Sequence, residues 1–167
     1  RDHLVDLPWA SSDALPAPRF DTTGELAQVP DTTAFDRWLS LWRQAERYTV
    51  FVNAGDHFAG AKIGSEAFAA RVSSWIRFWS SHAQKKGLPP GQLGVLLVDE
   101  PSSAEADTRI LAWAGILREA APEVVIWEDP NWPDPRQMDA RVLASCDVLC
   151  PLRSQWLHGG TLFAEFY

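Results

Sequence analysis

The chain has 167 residues, 46% of them hydrophobic, with a formal charge of −7 and no cluster of Lys or Arg. That describes a globular chain long enough for one well-buried core, and it argues against a nucleic-acid surface or an anionic membrane as partner. No stretch approaches the roughly 20 consecutive apolar residues of a membrane span, so no spanning segment is expected.

Residues 1–30 show neither the helical nor the strand period and read as an irregular N-terminal segment. Asp31-Thr32-Thr33 supplies caps for a helix over 34–47, with Phe35, Trp38, Leu39 and Trp42 along one face. The β-rich run Tyr-Thr-Val-Phe-Val-Asn predicts a strand near 48–53, followed by a Gly-containing loop that carries Asp56 and His57. From Ser65, a plausible cap, Phe68, Val72, Trp75, Ile76, Trp79 and Ala83 recur at helical spacing up to residue 86, where Gly87 and Pro89-Pro90 stop the helix. A strand over 93–98, a helix over 104–121 ended by Pro122, a strand over 124–127, a helix near 135–145 and a strand over 147–149 follow. The apolar residues 161–167 look like the start of a fifth strand.

This βα alternation predicts an α/β fold with a parallel sheet and right-handed crossovers. An eight-fold barrel takes about 250 residues, more than this chain offers. The chain begins at Arg1 without Met and stops inside an apolar run. The expectation is therefore a partial TIM-type (β/α) barrel, residues 1–167 forming a single domain that is a fragment of a longer catalytic domain.

Leu93 to Pro101 reads Leu-Gly-Val-Leu-Leu-Val-Asp-Glu-Pro, an unbroken apolar run that ends in two carboxylates and a proline. Such a run suits a strand buried on both faces, and its C-terminal end is where parallel α/β folds place ligands and catalytic groups. Pro101 lacks an N–H and helps end the strand at Glu100. Side chains alternate along a strand, so Asp99 and Glu100 can face one cleft only if the backbone turns at Glu100. Adjacent acids repel, which raises the pKa of one of them and suits it to donate a proton near neutral pH. A second acidic strand end, Glu128-Asp129, would converge on the same rim.

Three readings of Asp99-Glu100 compete. "LLVDEPSSAEAD" is similar to the magnesium-site strand of ABC-type ATPases, but the chain has no Gly-rich phosphate loop G-x-x-x-x-G-K-[ST], no signature helix before the strand, and Glu128-Asp129-Pro130 where a His should follow the next strand. A structural reading has the two acids solvated or capping the next helix, in a barrel that is inert or kept as a non-catalytic carbohydrate-binding module. The third reading is a carbohydrate hydrolase. From Trp75 to Trp156 the chain resembles the catalytic barrel of glycoside hydrolase family 123, retaining β-N-acetylgalactosaminidases. The likeness rests on the Trp-rich helix ending "KKGLPPGQ", the strand "LGVLLVDEP", a helix ending in Ala-Pro-Glu, the strand end "WEDP", and "CDVLCPLRSQW".

The resemblance implies cleavage of a β-linked N-acetyl-hexosamine by substrate assistance. Asp99 would hold and polarise the 2-acetamido group, which attacks the anomeric carbon, and Glu100 would act as general acid and then general base. A neighbouring-group nucleophile removes the need for two enzyme carboxylates set apart across the sugar. It also makes an extracytoplasmic or secreted location plausible, although the chain shows no signal-peptide pattern.

Nine tryptophans are the compositional outlier. Trp38/Trp42 and Trp75/Trp79 are spaced i, i+4 and read as core stripes, as does Trp127 inside its strand, whereas Trp132 and Trp156 follow strand ends and are the candidate sugar-stacking platforms. Asn53, Asp56, His57, Glu128, Asp129 and Gln155 are the candidate substrate-binding polar groups. No His, Cys, Asp or Glu spacing calls for a metal, and no cofactor is expected. Cys146 and Cys150 fit no zinc or redox spacing and read as buried free thiols. Nothing in the sequence fixes the oligomeric state.

Overall fold

A computed structural model describes residues 6–167. Five parallel strands form one sheet: β1 (Trp9–Ser11), β2 (Tyr48–Phe51), β5 (Leu93–Leu96), β6 (Val125–Glu128) and β7 (Val148–Leu149), in the spatial order β1-β2-β5-β6-β7. The order follows the chain without reversal. β3 (His57–Phe58) and β4 (Ala61–Lys62) make a separate antiparallel hairpin inside the loop after β2.

The helices are α1 (Thr33–Leu41), α2 (Glu66–Lys85), α3 (Ala104–Ala120), α4 (Ala140–Ser145), α5 (Arg153–Gly159) and α6 (Thr161–Phe166). α2 begins as expected, with the Ser65 side chain accepting from Phe68 N–H at 3.2 Å. It stops at Gly87, whose φ of 94° leads to a bond from Leu88 N–H back to Ala83 at 3.0 Å. Ser103 caps α3 in the same way through Ala106 N–H. α2 and α3 lie side by side. Between them and the sheet, Trp75, Ile76, Trp79, Ile110, Trp113, Ala114 and Leu117 bury against Val50, Val95 and Ile126. A closely packed aromatic-rich layer of this kind supplies most of the fold's stabilisation, at about 1.5–3 kcal/mol for each fully buried large side chain.

The opposite face of the sheet is differently made. The register aligns Trp9 with Thr49, Gly94 and Val125, and two residues on Phe51 with Leu96 and Trp127. Trp9 and Trp127 stand three strand spacings apart, about 14 Å in a flat sheet. Their rings nevertheless meet edge to face with centroids 4.8 Å apart. Trp9 stays 43% exposed.

Several sequence expectations change. Residues 161–167 form helix α6 and not a fifth strand; a short apolar run is equally compatible with either. Phe163 and Tyr167 meet there at the helical i, i+4 spacing, and Gly159 leaves room for the Phe163 ring where any Cβ would collide with it. The sheet's fifth strand is instead β1, inside the segment 1–30 that reads as irregular, of which residues 1–5 lie outside the described residues. Strand ends shift: 48–53 shortens to Tyr48–Phe51, 93–98 to Leu93–Leu96 and 147–149 to Val148–Leu149, while 124–127 moves to Val125–Glu128. The helix over 34–47 ends at Leu41, because Trp42 starts a turn closed by Ala45 N–H at 2.8 Å and by the Tyr48 hydroxyl at 2.6 Å. The helix near 135–145 divides into a short 3-10 turn at Pro135–Gln137 and α4. Cys146 is half-buried, its thiol pushed up to about 12 by burial, whereas Cys150 is exposed.

Candidate functional site at the C-terminal ends of the strands

All five strands of the sheet run the same way, so the loops after them share one rim. The chain leaving β5 carries Asp99 and Glu100, both exposed, and Glu100 has a φ of 48°. That left-handed conformation costs a non-glycine residue about 1 kcal/mol. β5 ends at Leu96, so strand alternation does not extend to Asp99 and Glu100, and the chain turns at Glu100. Two partners hold it. The Glu100 N–H donates to Asp129 Oδ1 at 2.9 Å, and Asn131 N–H donates to the Pro101 carbonyl at 2.9 Å.

The Glu100 carboxylate is oriented from the next loop. Asn131 Nδ2 donates to Glu100 Oε2 at 3.2 Å, and Gln155 Nε2 in turn donates to Asn131 Oδ1 at 2.9 Å. An amide relay thus runs from α5 to Glu100. Asp129 beside it has its carboxyl raised, first by burial and then by the negative charges of Asp99 and Glu100, against the Glu100 N–H that favours its ionised form. Asp99, Glu100, Asp129 and Gln155 are therefore gathered at one place on the rim.

Glu128 is not on the rim surface. It is 0% exposed and shares its side of the sheet with Ile126, turned toward the helices. Its Oε1 accepts from Leu97 N–H at 3.2 Å, and Oε2 has no partner. Burial pushes this carboxyl up to about 9, so it is protonated at neutral pH and offers a sugar no contact. Asp107 in the first turn of α3 is its buried neighbour. Asp107 is 2% exposed, accepts from Asp139 N–H at 2.8 Å through Oδ2, and is raised chiefly by burial.

The remaining sequence candidates spread along the rim. Asn53 and His57 are exposed on the loop after β2 and line a pocket of about 350 Å³. Asp56 turns away to pair with Arg109 Nε at 2.9 Å, and the guanidinium holds its carboxyl below the usual range. Trp132 is half-buried against the core, with its indole beside Asp107, which leaves only part of its face open. Trp156 is 41% exposed on α5 and packs against Phe163 and Tyr167.

Sequence reasoning missed Asn131, Asp107, Asp13 and Phe58. Asp107 carried a legible signal, since it stands three residues before Ile110 and therefore on the inward stripe of α3. Asn131 directly follows the acidic strand end and differs from a loop polar residue only in three dimensions. Among the described residues no group of three or more His, Cys, Asp or Glu is placed to hold a metal ion, and no helix is long and apolar enough to cross a membrane. No protein-family model matches this chain, and no curated protein matches it.

Proposed function

We propose that the chain is part of a (β/α) barrel and that its acidic rim hydrolyses a glycosidic bond, in the manner of the glycoside hydrolases it resembles. The barrel part of this reading is supported by the unreversed strand order, which with right-handed crossovers keeps every connecting helix on one face. The meeting of Trp9 and Trp127 across the other face supports a sheet curled toward that side.

The observation that carries the catalytic part is the left-handed backbone at Glu100, fixed by Asp129 and accompanied by a carboxylate aimed through Asn131 and Gln155. Strain held in place by surrounding hydrogen bonds is a feature of functional positions, and an oriented carboxyl is what general acid-base catalysis needs. On this reading Asp99 accepts a hydrogen bond from the N–H of the substrate's 2-acetamido group. The acetamido oxygen attacks the anomeric carbon while Glu100 gives its proton to the departing glycosidic oxygen. Glu100 then takes a proton from water as that water attacks the same carbon, which reopens the cyclic intermediate and restores the acetamido group with retained configuration.

Hydrolysis of an aryl β-N-acetyl-hexosaminide tests the proposal. Glu100→Gln is expected to lower kcat on the order of a thousandfold, and Asp99→Asn on the order of a hundredfold, with circular dichroism and melting unchanged. Full activity in either variant overturns it.

A further inference from the structure

A cavity opens on the same rim, at the strands that precede β5. It has a volume of about 350 Å³ and sits at the C-terminal ends of β1 and β2, between the chain that leaves Trp9–Ser11 and the loop that carries the β3-β4 hairpin. We propose that this pocket is a carbohydrate subsite for one neutral pyranose unit, with Phe58 as the stacking face and Asn53, His57 and Asp13 as the groups that read its hydroxyls. The identity of the ligand rests on the carbohydrate reading of the rim; the pocket itself does not.

The floor of the pocket is apolar and held still. Phe58 is half-buried, with the rings of Trp75 and Trp113 each at 5.4 Å and that of Phe20 at 5.9 Å, all inclined to it by 60° or more. The two indole N–H groups behind it are already spent, Trp75 on the Leu15 carbonyl and Trp113 on the Gly55 carbonyl, both at 3.0 Å. These buried indoles therefore brace Phe58 and add no polar contact of their own. The polar side chains of the lining are Ser12 and Asp13 after β1 and Asn53 and His57 after β2. A ligand that satisfies such a lining has one C–H face and polar groups around its edge, which is the amphipathic pattern of a pyranose. The volume is near the lower end of the roughly 300–1,000 Å³ typical of small-molecule sites, enough for one ring-sized unit.

Charge narrows the class. Asp13 brings a carboxylate, and the guanidinium of Arg109 nearby is engaged by Asp56. Among the described residues an anion finds no free fixed cation in the lining. A quaternary cation needs several open aromatic faces. Trp75 and Trp113 are only 2% exposed, which leaves the half-buried Phe58 as the partly open benzenoid ring among the described lining residues.

Asn53 is held for the purpose. Its φ is 55°, and the residues on either side are clamped to the next strand, Val52 N–H on the Leu96 carbonyl at 2.9 Å and Ala54 N–H on the Leu97 carbonyl at 2.7 Å. A left-handed residue over-determined in this way fixes the direction of a side chain. The same two bonds place Asn53 one strand along the rim from Asp99 and Glu100.

The test is a titration of 15N-labelled protein with methyl β-hexopyranosides, read on the tryptophan indole resonances. Saturable shifts at Trp75 and Trp113 are expected in the parent chain and equally in Glu100→Gln. Asn53→Ala, His57→Ala and Phe58→Ala should each weaken binding by about tenfold or more with the remaining indole spectrum unchanged, and Phe58→Tyr should retain it. Shifts that leave Trp75 and Trp113 untouched overturn the proposal, as does tighter binding of inorganic phosphate or tetramethylammonium than of the sugar at this pocket. Binding retained by a protein with no hydrolase activity removes the catalytic reading and leaves the subsite standing. Hydrolysis retained when the pocket variants show unaltered binding removes the subsite alone.

Discussion

Ten carboxylates of this protein form two sets with opposite electrostatics. Asp36, Asp56, Asp134, Asp139 and Asp147 lie on helices and loops, and each touches a cation: Lys86 for Asp36, and Arg109, Arg136, Arg141 and Arg118 for the others. Asp99, Glu100, Asp107, Glu128 and Asp129 crowd the C-terminal ends of β5 and β6 and have no cation partner among the described residues. The first set is held below the ordinary carboxylate range wherever a shift is resolved, as for Asp36, Asp56, Asp134 and Asp139. The three raised acids, Asp107, Glu128 and Asp129, all belong to the second. The first set is neutralised by cations, and the second holds carboxyls raised chiefly by burial.

Glu128 offers the largest test of that contrast. Its folded pKa of about 9 stands far above the ordinary value of 4.5, so the folded chain keeps a proton that the unfolded chain releases. Stability is full below the unfolded value and falls as pH rises from about 4.5 toward 9, by about 3 kcal/mol at pH 7. Glu128→Gln keeps a neutral group of the same shape and an acceptor for Leu97 N–H. It should flatten this decline and raise stability by about 3 kcal/mol at pH 7, measured by urea denaturation between pH 5 and 9. An unchanged pH dependence would remove Glu128 from the raised acids.

Glu100 comes next. Replacing it with Gly relieves the left-handed backbone by more than the added freedom of the unfolded chain costs, for a net gain of about 0.5–1 kcal/mol. Activity should vanish with the carboxylate. A more stable, inactive protein is the signature of a residue kept for chemistry. A destabilised Glu100→Gly would mean instead that the contact with Asn131 carries structural weight.

How far the sequence revealed these two sets depended on whether the relevant information was local. The strand before Asp99-Glu100 was legible because a run of Val and Leu closed by acids and Pro101 leaves little choice of structure, although it ends at Leu96, short of the acids. α2 was legible to its ends through Ser65 and Gly87. β1 was not, since Trp9-Ala10-Ser11 is too short to show a period and becomes a strand only by pairing with β2. The burial of Glu128 was hidden as well: its neighbour Asp129 looks equivalent in sequence, and the one-residue alternation of the strand sends the two to different sides. Pocket residues Asp13 and Phe58 come from loops far apart in the chain and acquire a common meaning only in the fold.

In the first set the firmest pair joins α1 to α2. Asp36 Oδ1 lies 2.7 Å from His82 Nε2 and Oδ2 lies 2.6 Å from Lys86 Nζ. Burial works to raise this carboxyl, but the hydrogen bonds from Lys86 and His82 prevail and hold it below its ordinary value. The stability it contributes is present above the unfolded pKa near 3.9 and is lost as pH falls through the lower folded one. Asp36→Asn should cost on the order of 1 kcal/mol at pH 6 and little at pH 2, the opposite pH course to Glu128→Gln.

The smallest effect separates charge pairing from capping at one residue. Asp139 accepts from the Arg141 backbone N–H at 2.9 Å, which caps α4, and its carboxylate also meets the Arg141 guanidinium at 2.6 Å. The side-chain bond is the larger cause of a carboxyl lowered to about 2. Yet Arg141 is 77% exposed, and an ion pair in water adds little to stability because solvent and side-chain freedom offset it. Arg141→Ala should leave Tm unchanged while the Asp139 carboxyl, followed by NMR, returns toward the ordinary range. Asp139→Ala should lower Tm, because α4 loses its cap and no other side chain reaches the freed N–H. Equal losses from the two variants would show that pairing stabilises the first set of carboxylates, and that the cations there do more than neutralise charge which the rim leaves unopposed.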